Sequence, residues 1–366
     1  MKKKIKTVIP LVIGGMTGVV AGVAAPNLFS ELDSARDLLM AFVSIIIVYY
    51  LNVIVHEGGH LMCGLLSGYK FVSFRIGSFI IYKSKNEWKT GKYKLAGTGG
   101  QCLMAPPDLV DGKIPYRLFN LGGSLMNLIA VVPVALLLAH ANIQGFAKVF
   151  AGLWCLIGII SALMNGIPMS VGAVDNDGKN ALNLGKNPKA LYSFWLQLKV
   201  NQMQVDGYSL LEMPKEWFEM PSYEEMKNPM VAVLGVLHCN YLLEEKHYEE
   251  TSSVIEEFLE NASGILPVHV MLLRLDQIYC EIMSSRNDKV INLYKDKGIQ
   301  KFMKAMKNYP SIIRTSYAYA SCVELNEKKA GEFKKQFEKI AQTHPNAAEL
   351  RVEAANISDC ENTNLS

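Results

Sequence analysis

Residues 53–62 read Val53-Ile54-Val55-His56-Glu57-Gly58-Gly59-His60-Leu61-Met62, a His-Glu-x-x-His motif within an apolar run long enough to cross a membrane. Side chains four positions apart lie on one face of a helix, so His56 and His60 can present two imidazoles to one zinc ion. In this motif the glutamate, here Glu57, acts as general base toward a zinc-bound water. Ionisable residues within a membrane span are costly and are functional by default. The alternative is a structural group that binds no metal.

The chain of 366 residues has two parts of different character. Half of its residues are hydrophobic, and they concentrate before Pro168, whereas most charged residues follow Asp175. This distribution predicts a membrane domain over residues 1–188, followed by soluble segments. The net charge of +3 is too small to indicate a nucleic-acid partner. The seven cysteines include no C-x-x-C pair, which argues against a zinc site made only of cysteines.

Four apolar segments predict a mainly α-helical, multi-pass bundle of about four spans embedded in the lipid bilayer. Residues 8–25 follow a lysine-rich start and are either a cleaved signal peptide or a first span; we favour the span. The other segments are residues 38–66, 118–141 and 146–164. If the second span begins outside near Leu38, His56 lies about 27 Å along the helix. That position is close to the cytoplasmic edge of a ~30 Å hydrocarbon core.

Between the second and third spans, the sequence becomes typical of β-strands. Residues 71–82 are rich in β-forming residues, a lysine-rich turn is predicted at residues 83–89, and a second strand runs toward Gly99 and Gly100. We expect a small hairpin or sheet on the cytoplasmic face, the side that lysines favour. Two interpretations are open: a strand edge with Gly99 and Gly100 that binds an extended substrate by backbone pairing, or a structural connector.

The fourth span ends at residues 165–168, Asn-Gly-Ile-Pro, where glycine and proline should break the helix. An acidic loop with Asp175 and Asp177 follows. With four spans that begin inside, this loop returns to the cytoplasmic side, level with His56 and His60. Two imidazoles, one carboxylate and an open position for water make a hydrolytic zinc site. The sequence therefore predicts one zinc ion per chain.

After Gly178 the chain is soluble and helical in character. Residues 189–228 predict an amphipathic helix and a linker punctuated by prolines. Over residues 229–358, helical patterns alternate with short breaks; a tetratricopeptide-like array and an irregular helical bundle are both open. We expect this domain to be cytoplasmic and able to recruit a protein partner. Residues 359–366 are predicted to be a disordered tail.

Together these features resemble the site-2 protease family of intramembrane zinc metallopeptidases, in particular a small bacterial branch. The resemblance covers about residues 38–178. Residues 56–60 match the family's His-Glu-x-Gly-His motif. Gly123, Leu125 and Asn127 fall where the family carries Gly-Pro-x-x-Asn, with Ser124 in place of the proline.

Asn165 and Pro168 match the start of the family's Asn-x-x-Pro…Asp-Gly motif. The resemblance implies that Asn127 lies near the active site, that Asn165 and Pro168 support it, and that an aspartate completes the zinc ligands. The family places Asp-Gly eight residues after the asparagine, whereas Asp177 follows Asn165 by twelve residues, which implies an insertion of four. We favour Asp177 because a glycine follows it; Asp175 is the competing ligand.

Gly58 is a second departure, because the family carries a larger residue at this position. Two adjacent glycines each reduce helix propensity by about 1 kcal/mol relative to alanine. The departure removes no catalytic atom from the motif.

The resulting expectation is a multi-pass protein of the bacterial cell membrane that hydrolyses a peptide bond. Its substrate would be a membrane-spanning protein, cleaved in or next to the span, or a membrane-associated peptide precursor. The substrate segment must unwind first, and the hairpin would hold it in extended form. The rival is a catalytically inactive membrane scaffold that recruits partners through its helical C-terminal domain.

Overall fold

The computed structural model describes residues 34–93, 98–171, 174–284 and 287–363, with a few isolated positions before residue 34. Within these residues the chain is mainly helical, with 13 α-helices and a small antiparallel sheet. The chain divides into two compact units. One comprises Met1–Gly77 with Thr98–Pro188, and the other comprises Ser78–Gly97 with Lys189–Ser366.

Three helices of the first unit are long and apolar enough to cross a membrane: α1 (Ala35–Leu66), α2 (Tyr116–His140) and α3 (Gly145–Gly166). Ser34 caps α1 by accepting the N–H of Asp37. These helices correspond to the predicted spans at residues 38–66, 118–141 and 146–164. The predicted first span, residues 8–25, lies outside the described residues apart from isolated positions.

The outer surface of α1 is apolar, as the membrane assignment requires. Leu39 and Phe42 expose 63% and 62% of their surface, although no polar face competes for water on this part of the helix. Side chains of this kind are stable when lipid surrounds them. The chain is therefore consistent with membrane association.

Facing glycines allow α1 and α2 to approach closely. A Cβ atom on Gly59 would overlap the carbonyl oxygen of Gly122, and a Cβ atom on Gly122 would overlap the carbonyl oxygen of Gly59. Small residues permit such close packing between helices in a membrane. The crossing lies one residue before His60, so it brings α2 against the His-Glu-x-x-His motif.

Four strands form an antiparallel sheet in the order β3-β2-β1-β4: β1 (Lys70–Ile76), β2 (Phe79–Ser84), β3 (Glu87–Lys92) and β4 (Gly100–Ala105). In the first unit, β1 pairs with β4, from Lys70 opposite Ala105 to Ile76 opposite Gly100. In this order β4 is an edge strand. The predicted small sheet is therefore present, with β4 following the predicted direction through Gly100.

The β2–β3 hairpin belongs to the second unit. Its turn consists of Lys85 and Asn86, both with positive φ, as in a two-residue type I′ turn. The turn is therefore shorter than the predicted residues 83–89. The Lys92 N–H donates to the Thr343 carbonyl oxygen at 2.9 Å, and the Lys85 N–H donates to Asp206 at 3.0 Å. The hairpin is thus anchored on helical parts of its own unit.

The helices of the second unit follow a simple order. They are α5 (Pro188–Val205), α6 (Pro229–Glu244), α7 (Tyr248–Asn261), α8 (Pro267–Met283), α9 (Asp288–Ile291), α10 (Lys297–Ala305), α11 (Pro310–Ala318), α12 (Glu327–Ala341) and α13 (Ala347–Thr363). Proline opens several of them, because its missing N–H needs no helical partner in the first turn. A tetratricopeptide-like arrangement of these helices stays a prediction.

The C-terminal segment differs from its prediction. Residues 359–363 were expected to be disordered, but α13 continues to Thr363. Cys360 is completely buried, and Asp359 forms an ion pair with Lys246 at 2.8 Å. The sequence of this segment is polar overall, yet one helical face packs on the core, and that packing stabilises the helix.

Arg314 is a buried cation in the second unit. Its guanidinium is inaccessible to solvent and pairs with the carboxylates of Asp276 and Glu353. It also lies over the ring of Tyr279, 4.1 Å from the ring centroid. Its two carboxylate partners are themselves at least nine-tenths buried, so this network depends on one cation.

We expect Arg314→Met to lower the free energy of unfolding by about 3–5 kcal/mol, because it leaves buried carboxylates without their cation. The matched variant Arg351→Met removes an exposed pair with Glu212 and should cost less than about 1 kcal/mol. Denaturant unfolding of the detergent-solubilised chain, followed by circular dichroism, measures both values. Equal effects of the two variants would contradict the expectation.

Candidate metal centre

His56 and His60 on α1 meet Asp177, the first residue of α4 (Asp177–Asn183). The Nε2 atoms of His56 and His60 lie 3.2 and 3.3 Å from Asp177 Oδ2, and 3.2 Å from each other. Both imidazoles are largely buried, and the carboxylate is about one-quarter exposed. Among the described residues, these three form a group whose ligand atoms are close enough to hold one metal ion.

The three ligand atoms have the spacing of one face of a zinc tetrahedron. With metal–ligand distances of about 2.0–2.1 Å, a tetrahedral site separates its ligand atoms by about 3.3–3.4 Å. The observed separations of 3.2, 3.2 and 3.3 Å agree with that geometry. Three protein ligands leave a fourth position open, as in catalytic rather than structural zinc sites.

The hydrogen bond of His60 also fits a cation at this point. Its Nδ1 lies 2.8 Å from the carbonyl oxygen of Phe119. A carbonyl oxygen only accepts, so Nδ1 carries the hydrogen and Nε2 of the neutral ring presents a lone pair to Asp177 and His56. A proton or a metal cation satisfies this arrangement. A backbone carbonyl that fixes the ring of a ligating histidine is common at metal sites.

The charge state of Asp177 suits a ligand. Burial favours a higher pKa for this carboxyl group, but hydrogen bonds and charge interactions with His56 and His60 outweigh burial and lower the pKa to about 2. The carboxylate is therefore ionised at neutral pH.

The loop after α3 brings Asp177 back to α1. It contains a small hairpin, β5 (Ser170–Val171) and β6 (Val174–Asp175), and then enters α4. A Cβ atom on Gly178 would overlap the carbonyl oxygen of Gly166. Only glycine therefore allows the first turn of α4 to lie directly on the end of α3, which gives the Asp-Gly pair a geometric reason.

Asp175, the competing ligand, is engaged elsewhere. Its Oδ1 accepts hydrogen bonds from Lys179 Nζ at 2.6 Å and from Ser170 Oγ at 2.7 Å. The structure places Asp177, and not Asp175, beside the two histidines.

Glu57 lies against β4. A Cβ atom on Gly100 would come within 2.9 Å of Glu57 Oε1 and 2.6 Å of Val53 Cγ1. A Cβ atom on Gly99 would come within 2.6 Å of the Tyr49 hydroxyl. The two glycines therefore let the start of the edge strand lie directly on α1, beside the glutamate. Contact of Gly99 and Gly100 with a substrate stays a prediction.

The supporting asparagines have different surroundings. Asn127 is fully buried on α2, and within the described part of the chain neither polar atom of its amide has a hydrogen-bond partner. Asn165 donates to the Ser161 carbonyl within α3 at 2.9 Å, and Pro168 is exposed beyond the helix end. Neither Asn165 nor Pro168 reaches the three-residue cluster.

Sequence reasoning missed two backbone contacts with the histidines. One is the Phe119 carbonyl at His60 Nδ1. The other is Gly123, where a Cβ atom would come within 2.5 Å of His56 Cε1. The only available signal was the run of small residues at positions 122–124, because a backbone contact does not depend on side-chain identity.

We expect Gly123→Ala to weaken zinc binding by about 10–100-fold, because its methyl group would displace the His56 ring. The control is Gly58→Ala, since a Cβ atom at Gly58 meets nothing within 4 Å. Gly58→Ala should keep the affinity and favour the helix by about 1 kcal/mol. Competition with a chelator of known affinity measures both variants, and a weaker Gly58→Ala with a normal Gly123→Ala would contradict this packing.

Comparisons of the chain with protein-family models, curated proteins and solved structures found no match.

Proposed function

We propose that this protein is a zinc metalloendopeptidase of the bacterial cell membrane, similar in mechanism to the site-2 proteases that its motifs resemble. It hydrolyses a peptide bond in or next to a membrane-spanning segment, or in a membrane-associated precursor. The observation that carries the proposal is the triangle of His56, His60 and Asp177 atoms on and beside a membrane-length helix, with Glu57 adjacent in the chain.

His56, His60 and Asp177 hold the zinc ion in this proposal. When bound, zinc supplies a Lewis acid that polarises a carbonyl and makes water nucleophilic at neutral pH. Glu57 accepts a proton from the attacking water and transfers it to the leaving amine. The carbonyl of Phe119 keeps the His60 ring in the orientation that ligation requires.

The free edge of β4 is the surface that we assign to the substrate. β4 is at the edge of the sheet, and its first residue, Gly100, lies on Glu57. An extended segment that adds to this edge would have its backbone beside the general base. This assignment also explains why the substrate must unwind, because a helical segment already uses its backbone hydrogen bonds internally.

The site lies at one end of the membrane core in this proposal. His56 is 21 residues beyond Ala35, the first residue of α1, which corresponds to about 32 Å. A ~30 Å core that begins near Ala35 therefore ends near the motif. Lysines at positions 83, 85 and 89 in the connection between α1 and α2 favour the cytoplasmic side.

Metal content and cleavage together test the proposal. Wild-type protein in proteoliposomes should contain about one zinc per chain and cleave a panel of single-span substrates that carry helix-breaking residues. Chelation should stop cleavage, and added zinc should restore it. Well-folded protein that takes up no zinc would contradict the proposal and favour the scaffold, which should tolerate His56→Ala but lose its function when truncated after Lys179.

A further inference from the structure

We propose that Asn176 is a positioning residue that closes the neck of the β5–β6 hairpin and thereby returns Asp177 to the histidines. This inference rests on the proposed metal centre. It concerns how this chain keeps its third ligand in place although the loop before it is longer than in the family that it resembles.

The amide of Asn176 uses all of its hydrogen-bonding groups. Its Oδ1 accepts the N–H groups of Met169 and Lys179, each at 3.0 Å. Its Nδ2 donates to the carbonyl oxygens of Met164 at 2.8 Å and Ile167 at 2.7 Å. One side chain therefore joins the end of α3, the entrance to the hairpin and the first turn of α4.

The backbone closes the same neck. The Asn176 N–H donates to the Met169 carbonyl oxygen at 3.0 Å, and Ser170 pairs with Asp175 in the first rung of the hairpin. Lys179 Nζ bonds to Ser170 Oγ and Asp175 Oδ1, which adds a second connection across that rung. Because both ends of the hairpin are held together at its base, residues beyond the base can extend outward without moving Asp177.

Helix capping alone does not account for these contacts. An N-cap requires one side-chain acceptor for an N–H of the first turn, which is the bond to Lys179. The two bonds from Nδ2 to α3 carbonyls are additional, and serine cannot supply them because it has a single oxygen. Aspartate would place a second acceptor against those carbonyls. Asparagine meets the donor and acceptor requirements of this position.

Two substitutions at Asn176 and one control separate positioning from capping. Asn176→Ala and Asn176→Ser should each weaken zinc binding by about 10–100-fold and alter the visible absorption spectrum of the cobalt-substituted protein. Asn183→Ala, which removes an acceptor for the exposed Lys186 at the other end of α4, should leave both readouts unchanged. Wild-type affinity in Asn176→Ser would reduce the role of this residue to helix capping and overturn the proposal.

A deletion tests the neck without changing Asn176. After removal of residues 171–174, the bond from the Asn176 N–H to the Met169 carbonyl becomes the i to i+3 bond of a β-turn. The shortened protein should therefore bind zinc within about threefold of wild type, an interval much smaller than the effect of a lost supporting contact. Loss of zinc from a deletion variant that is monodisperse and normally helical would overturn the proposal.

The outcomes for the two proposals are distinguishable. If wild-type protein takes up no zinc, both the proposed metal centre and the role of Asn176 fail. If wild-type protein binds zinc and cleaves substrate while Asn176→Ala binds zinc with unchanged affinity, only the positioning role fails. Chelator competition reads the affinity directly and does not depend on peptide cleavage.

Discussion

Glu57→Gln should abolish detectable peptide cleavage while the zinc content stays near one per chain. Glutamine preserves the shape of the side chain but cannot accept the proton of the attacking water. General acid–base catalysis contributes about 10²–10⁴-fold to rates of this kind, so the rate constant should fall by at least that order. Zinc should remain because His56, His60 and Asp177 are unchanged.

Single-turnover cleavage in proteoliposomes, normalised to zinc content, measures this effect. Glu87→Gln is a suitable control because Glu87 is an exposed carboxylate, with 74% of its side chain accessible to solvent; it should leave the rate unchanged. Normal cleavage by Glu57→Gln would remove Glu57 from the mechanism. Loss of both zinc and activity would instead give Glu57 a structural role.

Asp177→Ala should lower the zinc content from about one per chain to near zero, whereas Asp175→Ala should retain zinc. The reason is geometric: Asp177 Oδ2 is within 3.3 Å of both imidazole nitrogens, while Asp175 is occupied by Lys179 and Ser170. Removal of Asp177 leaves two ligands, which is fewer than zinc sites in proteins use.

Metal analysis after dialysis against a weak chelator separates the two aspartate variants. His56→Ala provides the reference for loss of an undisputed candidate ligand. Zinc retained in Asp177→Ala and lost in Asp175→Ala would reverse the ligand assignment and would require the loop to rearrange around Lys179. Circular dichroism on each variant excludes general unfolding as the cause of metal loss.

Features that depend on near neighbours in the chain were predictable from the sequence. His56 and His60 share a face because they are four residues apart on one helix, and Glu57 is adjacent to them. The membrane-length helices were predictable because a run of about 20 apolar residues suits a hydrocarbon core. The three described helices confirm these spans at the level of length and composition.

The third ligand was not decidable in the same way. Asp175 and Asp177 are two residues apart in one polar loop, and their local sequences give no strong preference. Their roles differ because Lys179 and Ser170 engage one of them, while the bonds of Asn176 fix the start of α4 at the other. Such contacts join backbone segments and have no periodicity that a sequence pattern can express.

The sequence by itself determined the His-Glu-x-x-His face, the apolar spans and the helical character of the C-terminal part, because helical spacing and hydropathy are local properties. The tertiary structure decided which aspartate meets the histidines, that Gly123 packs on His56, and that the β2–β3 hairpin is anchored at Thr343. The physical reason is that these contacts connect residues far apart in the chain, so they form only when the helices and strands have packed together.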